Sequence, residues 1–384
     1  MGLLEYCKTD RQREIVKLYE EGLGYTKIAQ ALNVSRYTIR GAIRTVKKNA
    51  EAQGFSPEHG WHRTVPSTFH VKRRSGFYDA DGNLIREWVI AESDKEQQMH
   101  AALEAFRLGL ADELQGLSKP IAPPVETDTG RLAAYMIGDH HLGMVSWSPE
   151  TLDDAYDIRI SQDLLINAVD KLVTVAGNAE VGVLLNCGDL LHANGLDNTT
   201  GAGTRLDVDT RQGKVIRAVG SLFQTLITRM LQKHQQVWII NVRGNHDPDA
   251  SLWLNEMLSM YYSNNERVQV FDNFSKWIHF TWGENLVVTH HGDKIRPQQL
   301  YENITRNYAE EWYRKHRFCW IGHIHHKQAQ EIGGMTIESW NVLAPTDAWH
   351  AGAGYGASRS MSCVILDKEL GEHSRFKVGI DALR

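Results

Sequence analysis

The chain has 384 residues, 42% of them hydrophobic and 23% charged, with a formal charge of −5. That balance suits an ordinary globular protein of two or more units and excludes a polycation, an internal repeat array or a low-complexity polymer. No apolar run approaches the roughly 20 residues of a membrane span. The start, Met1 to Arg11, carries no signal-peptide pattern, and the four cysteines lack paired spacing, so they read as reduced core thiols. The expectation is a cytoplasmic protein with no membrane contact.

Charge is uneven along the chain. Residues 1–50 hold ten Lys/Arg against five Asp/Glu, a basic end on a more acidic remainder, which points to an anionic partner for that end. Over 10–50 the pattern predicts three helices. The first carries Ile15, Val16, Leu18, Tyr19 and Leu23 on one side and ends at Gly22 and Gly24, and the second runs from Tyr25 to Leu32. After the Asn33-Val34 turn, Ser35 is a good N-cap for a third helix, which buries Ile39, Ile43 and Val46. Its other face shows Arg36, Tyr37, Thr38, Arg40 and Arg44, the candidate DNA-binding residues. The segment resembles the helix-turn-helix family, which makes DNA the expected partner. A small packing or protein-docking module is the competing reading.

Residues 51–131 form a mixed connection. Lys72-Arg73-Arg74 is basic, two strand-like runs flank Asp81-Gly82 as a hairpin, and Met99, Leu103, Phe106, Leu110, Leu114 and Leu117 make one helical stripe over 94–117. The stripe suits packing on the chain's own body, or a seam between two copies. The proline-rich run 119–130 reads as a linker and places the main boundary there. From 132 to 384 strands and helices alternate, with helices around 159–177 and 212–234 and a later set of partly antiparallel strands. This predicts an α/β domain of two packed sheets flanked by helices.

The chemistry lies at the ends of five apolar runs: Gly138-Asp139-His140-His141, Gly188-Asp189-Leu190-Leu191-His192, Gly244-Asn245-His246-Asp247, His290-His291-Gly292-Asp293 and Gly322-His323-Ile324-His325. Ligand-bearing loops at the carboxyl ends of strands are where open α/β sheets build sites. Each block alone is weak, but five in order are not chance. The set resembles the calcineurin-like metallophosphoesterase family, whose ordered signature is D-x-H, GD, GNH, H and GHxH. Within it, the first two blocks look most similar to the SbcD-type DNA-repair nuclease branch.

The resemblance implies one metal on Asp139, His141, Asp189 and His325, and a second on Asp189, Asn245, His291 and His323, with Asp189 bridging. It also implies that His246 serves the leaving oxygen as proton donor or stabiliser, and that His192 works near the substrate. For His192 a hydrogen-bonding role behind the ligands is equally open. His291 is favoured over His290 because it directly precedes Gly-Asp, and neighbouring strand residues face opposite ways. His140 is expected to point away and His326 to face solvent, while Arg243 suits either a phosphate or an acid. A mixed His/Asp/Asn shell suits two Mn²⁺ ions, or Fe²⁺ or Zn²⁺, better than Mg²⁺. The polar loop 193–210 and the glycine-rich 350–360 are candidates for shaping access.

Three functions fit these readings. The first is a dimetal phosphodiesterase, a nuclease acting on DNA held by the N-terminal helices. The second is a phosphoesterase of nucleotides, cyclic nucleotides or pyrophosphate whose N-terminal part assembles copies. The third is a DNA-binding protein with an inert body, against which the complete ligand set argues. No partner ATPase can be named from the residues.

Overall fold

The structure, a computed structural model, describes residues 2–56, 65, 69–79, 84–93 and 117–383. The Asp81-Gly82 turn and the helical stripe over 94–117, apart from Leu117, lie outside these residues. The chain divides into two compact units, Met1–Ala105 and Phe106–Arg384.

In the smaller unit, α1 (Asp10–Glu20), α2 (Tyr25–Ala31) and α3 (Arg36–Ala52) enclose one apolar core of Ile15, Val16, Ile28, Ile39, Ile43 and Val46. The Thr9 hydroxyl accepts from the Gln12 N–H and the Ser35 hydroxyl from the Thr38 N–H (3.0 Å), so both long helices start on side-chain caps. Between α2 and α3 the chain turns through Asn33 at φ 50°, a left-handed position that asparagine tolerates. Two strands follow, β1 (Phe69–Tyr78) and β2 (Leu84–Ser93), paired antiparallel with Ser75 opposite Trp88 and Phe77 opposite Arg86.

The larger unit is built on strands apolar on both faces, the mark of central strands in a covered sheet. Its first sheet has the order β13-β12-β3-β4-β5-β6, from β3 (Asp128–Ile137), β4 (Ala179–Asn186), β5 (Gln236–Asn241), β6 (Val268–Val270), β12 (Ser360–Asp367) and β13 (Gly371–Gly379). The run β3 to β6 is parallel, whereas β12 lies antiparallel to both β3 and β13. The second sheet has the order β10-β11-β9-β8-β7, from β7 (Ile278–Trp282), β8 (Asn285–Thr289), β9 (His316–Ile321), β10 (Gln328–Ile332) and β11 (Met335–Ser339).

Alternation along β3 shows the layering. Leu132, Ala134 and Met136 face the second sheet with Phe280, Val287, Trp320 and Trp340, while Ala133, Tyr135 and Ile137 face helices. Those helices are α5 (Ile158–Ala176) and α6 (Gln212–Leu231), following the one-turn α4 (Ser148–Thr151). Buried Leu165, Val169 and Leu172 make the inward stripe of α5, and the Asp157 carboxylate caps its first turn. Further on come α7 (Pro248–Tyr261) and α8 (Pro297–Asn307), the latter covering the outer face of the second sheet with Leu300 and Ile304. The result is the expected two-sheet sandwich between helices. Removing Trp320, fully buried between the sheets, would cost about 3–5 kcal/mol.

The proline-rich run belongs to this body instead of hanging free. Ile121 packs on its core, and the carbonyls of Ile121 and Pro124 accept from Arg267 (2.6 Å) and Gln235 (3.2 Å). A chain poor in N–H donors keeps its carbonyls available to such side chains, so composition alone does not make it a spacer.

Candidate metal centre

Five loops leave the carboxyl ends of β3, β4, β5, β8 and β9 and converge. Asp139, His141 and His325 form one group and Asp189, His291 and His323 a second, with the potential ligand atoms of each within 4.8 Å of one another. His325 Nε2 lies 3.0 Å from an Asp139 carboxylate oxygen and 3.3 Å from His141 Nε2. In the second group His291 Nε2 is 3.1 Å from Asp189 and 3.0 Å from the Asn245 side-chain oxygen. A third group, His141, His192 and His246, shares His141 with the first.

The backbone is bent to hold these groups. His141, Asp189, His323 and His325 have φ of 49°, 51°, 69° and 57°, left-handed values. These are half of the eight non-glycine positive-φ residues described, and each costs of order 1–3 kcal/mol, a cost that accumulates at functional sites. Two motif glycines give the carboxylates room. A Cβ on Gly244 would run into the Asp189 carboxylate, and one on Gly322 into that of Asp139.

Hydrogen bonds behind the cluster orient it. His291 donates from Nδ1 to the Cys187 carbonyl (3.0 Å), turning Nε2 toward Asp189 and Asn245. His246 donates from Nδ1 to the His192 carbonyl (2.8 Å), and its backbone N–H donates to Asp189 (2.7 Å). The His323 N–H donates to Asp139 at 3.0 Å. Asp247 accepts from the Leu191 and Gly244 N–H groups and so ties the second loop to the third. Burial, with the Asp189 charge nearby, pushes its pKa up to about 7.

The field inside the cluster calls for positive charge. Burial alone would lower the His291 pKa, yet the Asp189 carboxylate beside it raises it. His141 lies well below its ordinary value, first from burial and then from the surrounding imidazoles, so its ring is neutral with a lone pair to give. Two buried carboxylates with imidazoles and an amide oxygen suit divalent cations of the borderline kind.

The remaining sequence candidates divide clearly. His290 is turned away from the cluster, against Trp277 (ring centroids 4.6 Å apart), with Nδ1 accepting from the Gly292 N–H. His140 is buried against Tyr156, and His326 is exposed. Arg243 donates to the Phe274 carbonyl (2.9 Å). His192 is buried, its Nδ1 3.5 Å from His141 Nδ1, and burial lowers its pKa to about 4. In the smaller unit Arg36, Tyr37, Thr38, Arg40 and Arg44 are all exposed on α3, Tyr37 by 87%.

One neighbour of the cluster entered the sequence analysis only as the first residue of the glycine-rich 350–360 stretch. His350, on the short helix α9 (Ala348–Gly352), stacks on His325 with centroids 5.2 Å apart and bonds Asp347 through Nδ1 (2.7 Å). It comes from a stretch with no strand or helix periodicity, and the three-residue spacing of Asp347 and His350 was the signal that could have found it.

Among comparisons with known proteins, a family model identifies the chain. The family model described as calcineurin-like phosphoesterase matches residues 134–344, more than half of the chain. No curated protein matches. Solved structures that match include a predicted phosphoesterase of Streptococcus pneumoniae, at 11% identity and TM-score 0.27, covering 66% of this chain and 99% of that one. Yfce, a phosphoesterase from E. coli, matches at 16% identity and TM-score 0.32, covering 65% and 99%. Vps29 of Entamoeba histolytica, complexed with zinc, matches at 12% and 0.31, covering 65% and 99%.

Proposed function

The chain belongs to the calcineurin-like phosphoesterase family, and from that premise we propose that it is a dimetal phosphodiesterase that cleaves DNA. The observation that carries this reading is the complete donor set, Asp139, His141 and His325 beside Asp189, His291, His323 and Asn245. These residues would hold two divalent ions, Mn²⁺ being the first choice, with Asp189 shared. Such a pair, when bound, lowers the pKa of a water and neutralises charge on phosphoryl oxygens.

The rest is done by the chain. The Nδ1 bond from His246 to the His192 carbonyl leaves Nε2 to exchange a proton with the leaving oxygen, a role imidazole suits near neutral pH. Buried His192 holds the His141 ring from behind. Asp247 keeps the Asp189 and Asn245 loops at fixed spacing.

DNA is favoured over a small ester by the smaller unit. Arg36, Arg40 and Arg44 recur at four-residue steps along the exposed face of a Ser35-capped helix, the arrangement of a helix-turn-helix reader lying against phosphates. The larger unit carries the net negative charge and has less to offer a polyanion away from its cations. The Asp139 to Gly143 and Gly188 to His192 runs look similar to the SbcD-type nuclease branch, which supports the same reading.

The test is purified protein with Mn²⁺, with and without chelator, on labelled single- and double-stranded DNA and on a chromogenic diester. Chelator-sensitive cleavage of DNA is expected. Hydrolysis of the small diester with DNA left intact would move the function to small phosphoesters, with the helices serving assembly.

A further inference from the structure

Beside the ligand cluster lies a cleft of about 260 Å³ that the proposed chemistry does not use. His192 forms its inner wall, and on its other side stand His141 and His246, so one side chain separates the cleft from the centre. Trp147 and Trp349 line it and stay 65% and 68% exposed, unusual for the largest apolar side chain. Trp349 also stacks on Tyr355 at 5.8 Å and 20°, so an aromatic pair stands at the rim.

The polar lining is unequal. Glu150, Asp207 and Asp347 face a single cation, Arg205. That balance repels a phosphate and suits a planar group carrying N–H donors. The walls are also held in place. Thr346 donates twice to the Asp153 carboxylate, by N–H and hydroxyl at 3.0 Å each. The Ser146 hydroxyl donates to the Thr346 carbonyl (3.1 Å), and Arg359, nearly buried, pairs with Asp154. The segment bearing Trp349 is therefore tied to the one bearing Trp147 before any ligand arrives.

We propose that this cleft is a nucleobase subsite. It receives the base of the nucleotide whose phosphate lies at the ligand cluster, with Trp349 as stacking face and the carboxylates accepting from amino and imino groups of the base. The inference rests on the phosphodiesterase reading and adds to it a preference for nucleotides over other phosphoesters.

The test is binding of 2′-deoxyadenosine 5′-monophosphate and of 2-deoxyribose 5-phosphate to the full chain, followed by calorimetry with and without Mn²⁺. The nucleotide should bind about tenfold or more tightly than the sugar phosphate, as a single base–aromatic stack allows. Trp349→Ala should erase that difference and Trp349→Phe should keep most of it, with unchanged circular dichroism in both. Equal affinity for the two probes, or a difference that survives Trp349→Ala, would overturn the subsite. Base-dependent binding in a protein that leaves DNA intact would support the subsite and sink the nuclease reading. DNA cleavage without base-dependent binding would do the reverse.

Discussion

The candidate metal centre and the exposed face of α3 hold their functional groups in opposite ways. In the centre most side chains are buried, four sit on left-handed backbone, and hydrogen bonds orient Asp189, His246 and His291. On α3 the arginines and Tyr37 stand in solvent on an ordinary capped helix. A centre that performs chemistry must place atoms to a fraction of an ångström and accepts strain to do so. A face that grips a polyanion needs only charge at a regular spacing, and flexible side chains serve.

That contrast can be broken experimentally, most forcefully at Asp189. Asp189→Asn should abolish phosphodiesterase activity and cut the metal content of Mn-reconstituted protein from the two equivalents expected per chain. Elemental analysis that still finds the full complement would remove the shared-ligand assignment. His246→Asn should keep its metal and lose turnover by about 10²–10⁴-fold, as a positioned acid or base is worth. Loss of metal instead would move His246 in with His141 and His192 as a ligand.

On the other side, Arg36→Ala with Arg40→Ala should lower the slope of log affinity for DNA against log salt by about 2, roughly one per phosphate contact. Hydrolysis of a small diester should keep its rate, and a matching fall there would mean the two regions are not separable.

The smallest effect concerns a buried histidine away from the centre. His234 donates to the Ala179 carbonyl and accepts from the Tyr135 hydroxyl (2.7 and 2.8 Å), and burial lowers its pKa to about 4. The unfolded chain, with an ordinary value near 6.5, binds that proton more readily. Stability should thus fall as pH drops from about 6.5 to 4, by at most about 3 kcal/mol from this group. In His234→Gln, urea melts across that window should show a shallower pH slope by about one proton. An unchanged slope would mean that the ring charges without cost.

Much of this was legible beforehand because ligands follow apolar runs: a strand buried on both faces announces itself, and the residue after it is where its loop begins. The centre's groups at Asp139, Asp189, Asn245, His291 and His323 to His325 all stand in that position. The Trp349 to His350 wall was not legible, since its place depends on Arg359 meeting Asp153 and Asp154, about 200 residues earlier, which no local pattern encodes. The strand β10 was equally silent, because Gln328 to Glu331 are exposed and lack apolar alternation. The proline-rich run misled for a different reason: composition reports stiffness but not what accepts its carbonyls.

The position of β12 bears on how the protein is made. It enters the first sheet beside β3, pairing Ser362 with Met136 and Leu366 with Leu132, although more than 220 residues separate the strands. A ribosome delivers β3, β4 and β5 long before β12, so during synthesis β3 waits with an open apolar edge. Such an edge is a template for pairing with another chain, and closure over so long a loop is slow. The helices at the start of the chain can finish folding in that interval, whereas the body depends on its last strands. Stalled or shortened chains would therefore leave a finished three-helix head attached to a half-built, self-adhesive sheet, making chaperone demand heaviest late in translation.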